Sequence, residues 1–183
     1  MRDTAFYTAL SKELSYALRH QPWKYELELD AEGWVPVAQL LAAFSQSEKW
    51  QDISLEDIQQ TIFLADKKRH ELLDHRIRAL YGHSTPMKIN KEEAIPPKRL
   101  YHGTSPKLMK SIRETGLLPM SRQYVHLSED RETAWIVGKR KAPEPVIVWI
   151  DTEAARNNGV TFYRGNQQVW LADYIPIDFI SYE

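Results

Sequence analysis

The sequence predicts an α+β protein in two lobes, and three observations predict it. The amino-terminal part carries three stretches of helical apolar periodicity followed by a short alternating pair. A charged stretch with a Pro-Pro pair, KINKEEAIPPKR, then interrupts the pattern. Beyond it lie short β-rich runs separated by glycines, prolines and helix-cap residues. The boundary is therefore placed after residue 94, giving lobes 1–94 and 95–183.

In the first lobe, Phe6, Leu10, Leu14, Ala17 and Leu18 form one apolar stripe on a helix from Thr4 to His20. Arg19 and His20 fall off that stripe, and a proline follows two residues later. YELELDAEGW alternates and turns at Gly33, which predicts a short strand. VPVAQLLAAF predicts a second helix. SLEDIQQTIFLAD predicts a third, with Ser54 and Asp57 spaced for reciprocal capping. HELLD and IRALYG predict a hairpin around Asp74 and His75. Three helices closed by a hairpin make the pattern of a winged-helix lobe, a fold used for nucleic acids and for protein contacts alike.

The second lobe opens with a strand at LYHGT, and Ser105-Pro106 starts a helix that Gly116 stops. YVHLS is a strand, and SEDRETAWIVGKR a helix capped by Ser128. PVIVWID, VTFY, QVWLAD and IDFISYE complete a mostly buried sheet.

Composition narrows the chemistry. The 183 residues carry a net charge of −1, and hydrophobic and charged fractions of 43% and 27% suit a folded domain. Divided near residue 95, the parts hold 12 Lys+Arg against 15 Asp+Glu and 12 against 10. A broad cationic face for duplex nucleic acid is therefore not expected, and any anion site must be local. There is no cysteine, hence no disulfide, thiolate nucleophile or thiolate metal site. No apolar run is long enough to span a membrane, and the first residues lack a secretory pattern, so a cytoplasmic location is expected. No P-loop, G-x-G-x-x-G or H-E-x-x-H occurs. The six histidines lack tight metal-ligand spacing, with His70 and His75, five apart across an expected turn, a weak exception, and no metal is expected.

Four polar clusters remain: LRH at the first helix end, DKKRH from Asp66 to His70, GHST with HGTS, and GKRK from Gly138 to Lys141. Cations suit helix carbonyl ends, and glycine-histidine-hydroxyl runs suit turns, so each cluster also has a structural reading. Taken together they offer several arginines and a histidine. That set binds a dianionic phosphate without a large net charge, because the guanidinium fork makes two directed bonds and stays charged.

The segments LSYALRHQP, LDAEGWVPVAQLL, DKKRHEL, IRALYGHS, LYHGT, YVHLS, VGKR and VWL, in this order and spacing, resemble the Tpt1/KptA RNA 2′-phosphotransferases across nearly the whole chain. The resemblance implies an amino-terminal winged-helix lobe and a carboxy-terminal lobe like ADP-ribosyltransferases. It implies an NAD+-dependent removal of an internal RNA 2′-phosphate of the tRNA splice-junction type. The phosphate attacks the nicotinamide riboside, giving an ADP-ribosylated RNA phosphate, and the ribose O2″ then releases RNA 2′-OH and ADP-ribose 1″,2″-cyclic phosphate.

By that resemblance the catalytic set is Arg19, His20, Arg69 and Arg140. Arg19, His20 and Arg69 clamp the 2′-phosphate, with His83 and Ser84 as further substrate contacts. NAD+ as co-substrate falls to His102, Gly103, Thr104, His126 and Ser128. Val169 stands where protein-modifying transferases carry a glutamate, and an anionic acceptor would be repelled by one. The chain departs from the usual QGHS with Tyr81, carries His70 after KKR, and has KAPEP after VGKR. A monomer is expected, with RNA and NAD+ as partners and no membrane. Two other readings stay open: an ADP-ribosyltransferase acting on terminal nucleic-acid phosphates, and a non-catalytic RNA-binding module.

Overall fold

The computed structural model describes residues 2–182. The chain divides into two compact units, one ending at Asn90 and the other starting at Lys91. Residues 92–94, placed by the sequence in the first lobe, pair instead within the second unit. The Ala94 N–H donates to the Phe162 carbonyl at 3.0 Å, and the Arg164 N–H donates to the Glu92 carbonyl at 3.0 Å.

In the first unit, α1 (Thr4–Arg19) starts where the Asp3 carboxylate accepts from the Phe6 N–H. It buries Tyr7, Leu10, Leu14, Ala17 and Leu18, so Tyr7 takes the buried place expected of Phe6. A 3-10 turn over Pro22–Tyr25 follows. The strand expected over YELELDAEGW does not form. Asp30 instead accepts from the N–H groups of Glu32 and Trp34, each at 2.9 Å. These local side-chain bonds replace a strand ladder, and Gly33 completes the turn at φ +85°.

A short β1 (Val35–Pro36) leads into α2 (Val37–Phe44), and α3 (Leu55–Phe63) begins with the full capping box between Ser54 and Asp57. β2 (His70–Leu73) and β3 (Arg76–Ala79) form a hairpin with Leu73 opposite Arg76. Its two loop residues, Asp74 and His75, have φ of 49° and 59°, the signs a type I′ turn requires. The sheet order is β1-β3-β2, all antiparallel. Leu14, Leu18, Val35, Leu40, Ile58 and Ile77 lie at the centre of its core.

In the second unit, β4 (Arg99–Thr104) is followed by a 3-10 turn over Pro106–Leu108 and by α4 (Met109–Thr115), which Gly116 ends at φ +75°. β5 (Val125–Ser128) precedes α5 (Arg131–Gly138). The cap of α5 is Asp130, not Ser128. Asp130 accepts from the Thr133 N–H at 2.7 Å, while Ser128 stays in the sheet opposite Val169. β6 (Val146–Asp151), α6 (Thr152–Asn157), β7 (Phe162–Arg164), β8 (Val169–Ala172) and β9 (Ile180–Tyr182) complete the unit. The six strands are antiparallel in the order β7-β8-β5-β4-β6-β9. Both sheets are thus antiparallel, and the described residues hold six α-helices in a mixed α/β fold.

Candidate functional site

Three of the sequence-predicted residues meet in the first unit. Arg19, His20 and Arg69 line one cavity of about 590 Å³, together with Ser15, Tyr16 and Asp66. Arg19 ends α1 and His20 is its C-cap, so both leave the helix where its carbonyls lack intrahelical partners. Arg69 directly precedes β2. All three are half-buried.

The segment after β3 sets the spacing of the two arginines through main-chain bonds. The Leu80 N–H donates to the Arg69 carbonyl and the Ser84 N–H to the Arg19 carbonyl, both at 2.9 Å. Ser84 also holds the His20 ring, with Oγ 2.8 Å from Nδ1. Tyr81, in the same segment, lies under the Arg19 guanidinium, whose Cζ is 4.8 Å from the ring centroid. The stretch IRALYGHS therefore works as a template for Arg19 and His20. His83 is not part of the cavity: it is 2% exposed, with Nε2 beside Gly33.

His70 is 2% exposed, with Nε2 3.1 Å from Ser15 Oγ. Burial, reinforced by the charges of Arg19 and Arg69, lowers its pKa to about 3. The imidazole is therefore neutral near neutral pH, with both arginine charges opposing its protonation. His75, the other half of a possible metal pair, lies exposed at the hairpin tip.

The second unit gathers the remaining predicted residues around one helix–strand crossing. A methyl on Gly103 would meet the Ala134 carbonyl oxygen at 1.9 Å and Gly138 Cα at 3.0 Å. Only glycine lets β4 and α5 approach this closely, so Gly103 has a packing reason beyond any ligand. Gly138 faces it, and a methyl on Gly138 would meet Pro145 Cβ of the KAPEP segment at 2.7 Å and Gly103 Cα at 3.1 Å. The crossing brings the GKR turn next to His102 and Thr104. Arg140 lies exposed in that turn, its N–H bonded to the Val137 carbonyl.

His102 Nδ1 is 2.8 Å from the carbonyl of His126. A carbonyl only accepts, so Nδ1 carries the proton. Burial lowers the pKa of His102 to about 4 against the backbone bond, and the charge of Lys141 adds to the lowering, so the ring is neutral with its lone pair on Nε2. His126 donates from Nδ1 to the Tyr124 carbonyl at 2.9 Å. Thr104 is 1% exposed, and its hydroxyl has no hydrogen-bond partner among the described residues. Ser128 is 7% exposed and pairs through the sheet with Tyr101 and Val169.

Sequence reasoning missed Ser15, Tyr16 and Lys141. Ser15 had a signal, since it lies one helical turn before Arg19. Lys141 did too, as the neighbour of Arg140. Burial and the charge of Arg122 lower the Lys141 pKa, and the charge of Lys141 in turn lowers that of His102. No group of three or more metal-ligating side chains comes together among the described residues. Among those residues, no helix is long and apolar enough to cross a membrane.

Such an arrangement defines a class: an α+β protein with a local cationic cavity lined by two arginines and an oriented histidine. Comparison with known proteins narrows it. Residues 7–174 match the family described as RNA 2′-phosphotransferase, Tpt1 / KptA family. A protein of Bacillus thuringiensis subsp. konkukian, named probable RNA 2′-phosphotransferase, is 61% identical over 181 residues, covering 99% of this chain and 98% of its own. Proteins of the same name from Acetivibrio thermocellus and Pyrococcus horikoshii are 53% and 38% identical, over 97% and 94% of this chain and 97% and 96% of theirs. The chain belongs to the Tpt1/KptA family.

Proposed function

We propose that this protein removes an internal 2′-phosphate from RNA, of the kind left at tRNA splice junctions, by transferring it to NAD+. The products are RNA with a 2′-hydroxyl, nicotinamide and ADP-ribose 1″,2″-cyclic phosphate. One observation carries the reading: Arg19, His20 and Arg69 line a single cavity in a chain whose net charge is only −1. Two fixed guanidinium groups select a dianionic phosphate over the single charge of a phosphodiester.

A phosphate is already anionic near neutral pH, so the first step calls for orientation and charge shielding more than for a strong base. Arg19 and Arg69 supply the shielding. His20, held through Nδ1 by Ser84, moves the proton that phosphate oxygens exchange as charge shifts. Arg140 stabilises charge on the phosphorus oxygens when the RNA hydroxyl leaves.

NAD+ fits the second unit as co-substrate. The Nε2 lone pair of neutral His102 suits a ribose hydroxyl donor. The buried Thr104 hydroxyl offers a second polar group without a protein partner among the described residues. Gly103, His126 and Ser128 complete that wall. When bound, NAD+ supplies a ribosyl carbon made electrophilic by its nicotinamide leaving group. The three helices and hairpin support a winged-helix first lobe, and the six-stranded unit with its HGT strand supports an ADP-ribosyltransferase-like second lobe. The enzyme is proposed to act in the cytoplasm as a monomer.

The test is a product assay with NAD+ and an oligonucleotide bearing one internal 2′-phosphate. Formation of ADP-ribose cyclic phosphate supports the reading, with Arg19→Ala slowing the first step. Lasting accumulation of an ADP-ribosyl adduct by the unaltered protein would instead favour ADP-ribosylation of phosphates. No reaction and no thermal shift with NAD+ would leave an RNA-binding module.

A further inference from the structure

We propose that Ser15 is a direct ligand of the RNA 2′-phosphate, its hydroxyl accepting a hydrogen bond from His70 Nε2 while donating its own hydrogen to a phosphate oxygen. The inference rests on the phosphate-clamp reading above and extends it by one residue and one supporting histidine.

Helix geometry brings Ser15 to the right place. Ser15 lies four residues before Arg19, on the same face of α1 and one turn earlier. Side chains on a helix lean toward its N-terminus, so the Arg19 stem starts back toward the Ser15 turn. Both residues line the same cavity, and Arg69 lines it with them.

The hydroxyls of that cavity are not equivalent. Thr8 Oγ1 lies 2.9 Å from the Thr4 carbonyl, and Thr61 Oγ1 lies 2.7 Å from the Asp57 carbonyl. Since a carbonyl only accepts, each of these hydroxyls has committed its hydrogen to its own helix. Ser15 instead meets a ring nitrogen, His70 Nε2, at 3.1 Å. A neutral imidazole carries one N–H, and with that hydrogen on Nε2 the Ser15 oxygen accepts. Its own hydrogen then turns into the cavity. An anion between the arginines selects this arrangement over the reverse one. The burial of His70 and the charges of Arg19 and Arg69 keep the ring neutral at working pH, so it supports Ser15 without adding a buried cation.

His70 therefore acts as a positioning residue. Through its contact with the Ser15 hydroxyl it passes its orientation to the phosphate.

The experiment compares two oligonucleotides of one sequence, one with an internal 2′-phosphate and one with a 2′-hydroxyl, by equilibrium binding without NAD+. For the unaltered protein the phosphorylated strand binds more tightly. Ser15→Ala removes the hydroxyl and favours the helix but leaves the buried His70 N–H without its acceptor, so a melting curve of the variant accompanies the titration. The substitution is expected to weaken binding of the phosphorylated strand about 10-fold, the scale of one hydrogen bond to a charged group, and to leave the other strand unchanged. Ser15→Thr keeps a donor and is expected to retain most of the preference. His70→Gln, whose side-chain amide can still donate to Ser15, is expected to fall between them. If Ser15→Ala keeps the full preference, Ser15 is not a ligand and this inference is overturned while the clamp stands. If the unaltered protein shows no preference, the clamp fails and the inference fails with it.

Discussion

The imidazole of His20 is tied to Ser84, Nδ1 to Oγ, at 2.8 Å, and the Ser84 N–H closes the Arg19 carbonyl at 2.9 Å. One residue thus caps the helix end and aims the side chain that leaves it. Removing the hydroxyl separates the two duties, because the main-chain bond survives. Ser84→Ala is expected to slow turnover at saturating RNA about 5- to 10-fold, the worth of one hydrogen bond of roughly 1 kcal/mol. KM for RNA and the melting temperature should change little. Steady-state kinetics on the phosphorylated oligonucleotide checks this, and a rise in KM with turnover unchanged would assign Ser84 to binding instead.

The Tyr81 ring centroid lies 4.8 Å from the Arg19 guanidinium carbon. Stacking of this kind contributes about 0.5–2 kcal/mol and holds the planar fork in one orientation. Tyr81→Phe keeps the ring and is expected to bind 2′-phosphorylated RNA like the unaltered protein. Tyr81→Ala is expected to bind it about 3- to 10-fold more weakly. Equilibrium titration of the two variants decides the matter: equal affinities for Phe and Ala would show that the ring does not position Arg19.

Much of this was legible in the sequence because it depends on local rules. The apolar stripe of α1 put Arg19 and His20 off the buried face, and Ser54 with Asp57 marked the start of α3. The Asp74-His75 turn followed from two flanking alternating runs. What failed depended on competition between bonds. YELELDAEGW alternates like a strand, yet Asp30 draws in two nearby N–H groups and no ladder forms. Ser128 has the chemistry of a cap, but the sheet claims it and Asp130 caps α5. The contacts of Ser84 with His20 and of Tyr81 with Arg19 were illegible for another reason, since each is a tertiary contact that spacing along the chain does not reveal. For Ser15 the spacing gave the helix face it shares with Arg19 but not its contact with His70.

Gly103 tests whether the HGT strand needs its glycine for packing. An added methyl would lie 1.9 Å from the Ala134 carbonyl oxygen and 2.9 Å from its carbon, and main chain cannot swing aside as a long side chain can. Gly103→Ala is expected to lose about 3 kcal/mol or more, at or above the usual cost of overpacking. Urea unfolding followed by tryptophan fluorescence measures it. Full stability together with weaker NAD+ binding would instead make Gly103 a ligand-approach glycine only.

His70 makes the protein sensitive to acid in a way that one substitution can isolate. Its folded pKa is lowered to about 3 from an ordinary value near 6.5, chiefly by burial and then by Arg19 and Arg69. Between those values the unfolded chain binds a proton that the native ring refuses, so stability falls as pH drops below about 6.5 and is fully lost only below about 3. From pH 7 to pH 5 the contribution changes by about 2 kcal/mol, an order-of-magnitude figure from the linkage relation. His102 acts in the same direction, with a folded value of about 4, but it is half-buried and solvent weakens its effect. Carboxylates titrate in both the unaltered protein and a His70→Gln variant, so the difference between the two isolates His70. The variant is expected to lose about 2 kcal/mol less than the unaltered protein when urea unfolding is repeated at pH 5. An identical loss in both would mean that His70 takes up a proton in the native state as readily as in the unfolded chain and does not stay neutral beside Ser15.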